Sequence, residues 1–176
     1  MSDWKLLNTS TASGASSVSF TDLTGYKIFK FVFIDVNPAT DNVDFTFDCS
    51  VSSSYGTTKT TTFFRSFHRE NGATNSLAYY GSKDLAQSTS NQPIGYFLGN
   101  GADECCAGEL HLFNPASTTY VKHFYSRFNE YHELSASADI FVGGYFNTTS
   151  ALDGIKFLMS SGNFDAVIKQ YGLVAT

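Results

Sequence analysis

The stretch Tyr26-Lys27-Ile28-Phe29-Lys30-Phe31-Val32-Phe33-Ile34-Asp35-Val36 decides the fold. It is β-branched and aromatic, and apolar almost without a break. A strand from the middle of a sheet reads this way, so a central strand is expected over 26–36. Gly25 stops it on one side, and Asn37-Pro38-Ala39-Thr40-Asp41 turns the chain on the other. The next segment, Val43 to Val51, has a different rhythm. Val43, Phe45, Phe47 and Cys49 share one face; Asp44, Thr46, Asp48 and Ser50 share the other. That period of two marks a half-buried strand and makes Cys49 a core residue.

Strand signals continue outward from this pair, with turn residues between them. Upstream, Ala15 to Leu23 alternates, with Val18 and Phe20 against Ser17, Ser19 and Thr21. Downstream, Thr60 to His68 carries Phe63, Phe64 and Phe67, and Ile94 to Leu98 is short. Gly108 to Phe113 and Thr119 to Arg127 flank Asn114-Pro115-Ala116-Ser117-Thr118 as a hairpin. Ala138 to Phe146, Gly154 to Ser160 and Phe164 to Tyr171 complete the series, the last two joined as a tight hairpin by Ser161-Gly162-Asn163. Glu130 to Leu134 fits no single type. Glu70 to Asn91 is polar and without period. It reads as a long loop with one helical turn near Ser82 to Ala86, and Gly99 to Ala107 reads as a second loop. About ten strands and no helix indicate an all-β chain, an antiparallel β-sandwich or jelly roll, as one domain over 1–176. Residues 1–17 have two readings: an arm with Trp4, Leu6 and Leu7 as apolar anchors for a partner, or an ordinary first strand.

Composition agrees. At 176 residues the chain can bury one core without staples. Charged residues are only 15 %, well below the roughly 25 % usual in soluble domains, so Ser, Thr, Asn and Gly carry the polarity. Aromatics reach 16 %, and strands stack such rings across a sheet. The net charge is −5 and no run of Lys or Arg occurs, which argues against nucleic acid and against anionic membranes as partners. No apolar stretch follows Met1-Ser2-Asp3-Trp4-Lys5, so neither a signal peptide nor a membrane span is expected, and synthesis in a cytoplasm is. Cys49, Cys105 and Cys106 read as free thiols, because adjacent cysteines rarely bridge each other.

The candidate chemistry is sparse. If the Asn114 hairpin is symmetric about Ser117, His111 faces His123, with Glu109 and Tyr125 beside them. That set could bind a metal or sense pH, but two histidines lack a third ligand, and a polar sheet face or subunit contact is the weightier reading. Asp103 and Glu104 adjoin Cys105 and Cys106, and Glu130 and Glu133 flank His132. No G-x-S-x-G or H-E-x-x-H surrounds them, nothing specifies a Cys106–His111 pair, and no enzyme is expected. Calcium is the more reasonable ion, from Asp41, Asp44, Asp103 and Glu104 near loops, though no D-x-D-x-D spacing is present. Tyr55, Tyr79 and Tyr80 fall in predicted loops, where Tyr packs, anchors a protein contact or stacks on a sugar.

Several segments resemble a family of small structural proteins of marine tailed phages. They are Trp4-Lys5-Leu6-Leu7 with the Ser/Thr run to Phe20; Asn37-Pro38-Ala39-Thr40; Gly108-Glu109-Leu110-His111-Leu112-Phe113-Asn114-Pro115 followed by Val121-Lys122-His123-Phe124; Gly144-Tyr145-Phe146-Asn147-Thr148-Thr149-Ser150-Ala151-Leu152-Asp153; Ser160-Ser161-Gly162-Asn163; and Tyr171-Gly172-Leu173. They occur in the same order over most of the chain and are weakest from Glu70 to Ala107. The resemblance implies a virion component with a β-sandwich fold and carries over no catalytic residue.

The expectation is therefore a capsid decoration (cement) protein on the outer surface of the virion. It would bind the major capsid protein, as a homotrimer. One alternative is a tail-fibre or receptor-binding tip protein that contacts host glycan. Another is a glycan-degrading enzyme on the same scaffold. The candidate partner residues are Trp4, Leu6, Leu7, Tyr79 and Tyr80, and the candidate polar cluster is Glu109, His111 and His123.

Overall fold

In the computed structural model, which describes residues 3–174, the chain forms twelve strands. In chain order they are β1 (Trp4–Ala15), β2 (Val18–Phe20), β3 (Ile28–Pro38), β4 (Val43–Ser50), β5 (Lys59–Arg69) and β6 (Asn75–Tyr79), then β7 (Gln92–Leu98), β8 (Cys106–Phe113), β9 (Lys122–His132), β10 (Ala136–Phe146), β11 (Gly154–Met159) and β12 (Phe164–Leu173). No helix occurs among the described residues. Every pairing is antiparallel. A large sheet runs β1-β12-β3-β8-β9-β10-β5-β6 and a small one runs β7-β4-β11-β2. One backbone pair, Leu98 with His132, joins them at a seam between β7 and β9. The result is the all-β sandwich expected from the sequence.

The core is a set of Phe rings between the two layers. Phe33 of β3 meets Phe157 of β11 at 4.8 Å and Phe128 of β9 at 5.0 Å, and Phe47 of β4 meets Phe124 of β9 at 4.9 Å. Such tilted and edge-on pairs add to the stabilisation from burial. β3 lies between β12 and β8, as its sequence predicts, with Phe29, Phe31 and Phe33 buried and Lys30 and Val32 half-buried on the other face. It bends at Asp35, whose φ of 51° coincides with register shifts against both neighbours.

Four expectations change. Residues 70–91 are not one long loop, because Asn75–Tyr79 pairs with β5; five polar and mixed residues give no periodic signal, and the partner strand supplies the order. The expected helical turn is instead a turn closed by Lys83 N donating to Tyr80 O at 3.0 Å. The chain then runs beside β5, where Thr61 N donates to Leu85 O at 2.9 Å. The N-terminal segment is a first strand rather than an arm, since Trp4–Ala15 pairs with β12 along its length; Met1 and Ser2 lie outside the described residues. β11 and β12 are not a hairpin, because the Ser161-Gly162-Asn163 turn carries the chain from one sheet to the other.

The fourth change concerns β4, which is buried on both faces. Its polar residues are covered and partnered. Asp48 meets Lys59 Nζ at 3.0 Å and accepts Gly56 N, Thr46 Oγ1 donates to Leu158 O, and Ser50 Oγ donates to Asp153. Lys59 Nζ also donates to Ser90 O at 2.7 Å. This buried ion pair ties β4 to β5 across the two sheets.

Candidate functional site

The outward face of the large sheet follows from strand alternation. On β9, Phe124, Ser126, Phe128 and Glu130 are buried, so His123, Tyr125, Arg127 and Asn129 point out. Register then fixes their neighbours. His111 lies opposite Tyr125, Glu109 opposite Arg127, Gly143 beside Tyr125 and Phe141 beside Arg127. One strand further, Phe64 lies beside Phe141, and Tyr79 beside Phe64.

This face holds two ring groups with charges between them. In the first, His111 stacks on Tyr125 at 4.7 Å and 15°, and Trp4 meets His111 edge-on at 5.7 Å. Lys30 Nζ sits 4.6 Å from the centre of the Trp4 ring, a cation–π contact. In the second, Phe64 and Phe141 stack at 4.9 Å and 3°. Arg127 lies over Phe141 at 5.1 Å and pairs with Asp139, its Nη2 donating to Oδ2 at 2.8 Å. That hydrogen bond, then the Asp139 charge, raises the guanidinium above its ordinary range. A shallow depression on the same face is lined by Glu109, Arg127, Asn129 and Asp139, with Ala107 and Gly108. Tyr125 is 46 % exposed, Phe64 41 % and Tyr79 58 %. Arg127 and Asp139 neutralise each other beside these rings, which suits that part of the face to a flat, weakly charged surface.

The candidate residues separate. Trp4 and Tyr79 belong to this face, and Leu6 is exposed opposite Tyr171. Leu7 is the extra residue at a register shift in β1 and packs against the core. Tyr80 also turns inward, 5.2 Å from the Tyr96 ring. Glu109 and His111 meet, with Nε2 3.2 Å from Oε1, in a contact outside hydrogen-bond geometry. His123 shares the face but does not face His111. The hairpin centres on Thr118 rather than Ser117, because Ser117 N donates to Asn114 O and Ser117 Oγ accepts Thr119 N and Tyr120 N. Moving the centre by one residue moves each partner by two, and His123 lies near Tyr145 instead, at 6.0 Å.

The other chemistry resolves into support. Asp44 accepts Phe97 N at 3.2 Å and pairs with Lys83 at 2.6 Å, and Glu104 accepts Gly101 N at 2.9 Å. Among the described residues no group of three or more His, Cys, Asp or Glu could hold a metal ion. Cys106 faces the core while His111 faces out, and burial pushes all three thiols up. Glu130 is buried at the seam, where its Oε2 accepts Tyr96 N at 3.0 Å; burial, then Asp44, pushes its carboxyl well up, against the pull of Arg65 and Lys83. His132 accepts Leu134 N at Nδ1 and packs against Phe67 and Tyr96. Burial, then Arg65 and Arg69, lowers its pKa to about 4, so it stays neutral.

The sequence reading missed Lys30, Phe64, Arg127, Asp139 and Phe141 as parts of one surface. Alternation alone places Arg127 on the outward side of β9, but Asp139 and Phe141 join it only through the β9–β10 register. No family model matches the chain, and comparison with curated proteins and with solved structures likewise finds no match.

Proposed function

We propose that this chain is a virion structural protein, a capsid decoration (cement) protein that binds the outer shell and acts without catalysis. The supporting observation is the outward face of the large sheet. Tyr125, Phe64 and Tyr79 stand exposed there on a hydrogen-bonded sheet, and Arg127 and Asp139 neutralise each other within the face. Rings held in place lose little entropy on contact, and low net charge lowers the desolvation cost of burying the face. The resemblance to phage structural proteins supplies the virion context. With the N-terminal segment built into the sheet as β1, attachment rests on this face rather than on an arm.

A second reading has its own support. Tyr125 is exposed two residues along β9 from Arg127, which lines the depression with Glu109, Asn129 and Asp139, and a ring near polar groups suits the apolar side and hydroxyls of a sugar. That favours a tail-tip protein on host glycan. The test is the copy number of the chain in purified virions against the major capsid protein. Near parity supports decoration. A few copies, with adsorption lost on deletion, supports the tail tip. Absence from the particle overturns both.

A further inference from the structure

β6 is a free edge of the large sheet, and it carries none of the features that keep an edge from pairing. Proteins blunt such edges with charges, proline, bulges or extreme shortness. At the opposite edge, β1 has Lys5 and two register shifts, the second at Gly14 with φ 58°. β2, the edge of the small sheet, has only three residues. β6 reads Asn75-Ser76-Leu77-Ala78-Tyr79, with no charge, proline or glycine, and its register against β5 is unbroken. Leu77 is 76 % exposed, the most of any large apolar residue described.

The ladder shows which backbone groups are free. Tyr80 N donates to Phe63 O at 2.8 Å and Arg69 N to Thr74 O at 2.9 Å. Bonded and non-bonded pairs alternate in an antiparallel ladder, so Thr74, Ser76, Ala78 and Tyr80 direct their main-chain groups at β5. Asn75, Leu77 and Tyr79 therefore direct theirs away from the sheet. The three are symmetric about Leu77.

We propose that β6 pairs with β6 of a second copy, antiparallel and two-fold about Leu77, joining the two large sheets edge to edge. Leu77 then lies opposite Leu77, and Asn75 opposite Tyr79. Each of the three pairs exchanges both of its bonds, about six in all, and the free groups of both strands are satisfied together. Leu77 of each copy meets the other on the outward face, one row along from Phe141, Phe64 and Tyr79 and in register with Ser66 and Asp139. The strand has no charge to repel itself, and a two-fold contact needs a patch that complements itself. The arrangement is distinct from the three-fold association expected from the sequence.

The full chain should sediment as a dimer, and Leu77→Lys should sediment as a monomer with an unchanged circular dichroism spectrum. Leu77 is so exposed that its replacement leaves the fold intact. Register is tested by crosslinking in a Cys105→Ser background. Leu77→Cys should give a disulfide-linked dimer, because bonded pairs hold their Cα atoms about 5.5 Å apart, within disulfide reach. Asn75→Cys should not, since its opposite number is Tyr79. A monomer or trimer at every soluble concentration overturns the proposal. So does a dimer that Leu77→Lys leaves intact, or equal crosslinking by the two cysteine variants. The result is independent of whether the chain belongs to a virion.

Discussion

The inward face of the large sheet presents Phe33, Phe63 and Phe128, all buried, while the outward face presents Phe64, Phe141 and Tyr125. Phe63 and Phe64 are neighbours in the sequence and lie on opposite sides of β5. The inward rings pack against a second layer, so each gains the full stabilisation of burial and close contact. The outward rings pack at the surface, Phe64 against Phe141 with Arg127 over it, and Tyr125 against His111. The same residue type thus serves stability on one face and remains available for binding on the other. Polar groups follow the same division. Asp48 and Lys59 are enclosed and depend on each other, whereas Arg127 and Asp139 meet at the surface in reach of water.

The largest expected effect is on the inward face. Phe33→Ala should cost about 4 kcal/mol, read as a shift in the urea midpoint with little change in slope. A cost below about 1 kcal/mol would show that Phe33 is not central to the core. Next, Asp48→Ala should cost about 3 kcal/mol, because it strands the Lys59 ammonium inside the sandwich. The double change Asp48→Leu with Lys59→Met should recover most of that loss, and failure to recover would mean that the pair does more than neutralise itself.

A comparable effect comes from His132. Its folded pKa of about 4 lies below the ordinary 6.5, so the unfolded chain binds this proton more readily than the folded one. The contribution is complete above pH 6.5 and is lost as pH falls through the window to about 4. Glu130, whose carboxyl is pushed up, works in the opposite direction. The comparison that isolates His132 is therefore with His132→Asn. From pH 7 to pH 4 the native chain should lose about 3 kcal/mol more than the variant. Equal losses would place the imidazole in contact with water.

The smallest effect on stability belongs to the outward face. Phe64→Ala should cost under about 1 kcal/mol, since much of the ring is already in water. Under the proposed decoration role it should nonetheless weaken retention of the chain on capsids. Unchanged retention would move attachment off this face.

Much of this was readable from the residues. The unbroken apolar run around Phe31 marks β3 as a central strand, and the alternation of Val43, Phe45, Phe47 and Cys49 marks the core side of β4. These signals are local, because a strand's burial pattern is written in its own side chains. β6 was not readable, since five residues of mixed polarity become a strand only when β5 is beside them. The outward face was partly readable. Trp4 and Tyr79, expected as partner residues, lie on it, but Leu7 and Tyr80 turn inward through a register shift and a turn. The His111–His123 pairing failed by one residue in the hairpin centre, a quantity set by the loop's own hydrogen bonds.

The sequence by itself determined the all-β class, the antiparallel sandwich and most of the strands, because a period of two and turn residues act over a few neighbouring positions. Only the tertiary structure decided which rings face out together, which charges are paired, and which edge is left open. Those depend on register and strand order, in which residues far apart in the chain become neighbours through backbone hydrogen bonds that are nearly the same for every side chain.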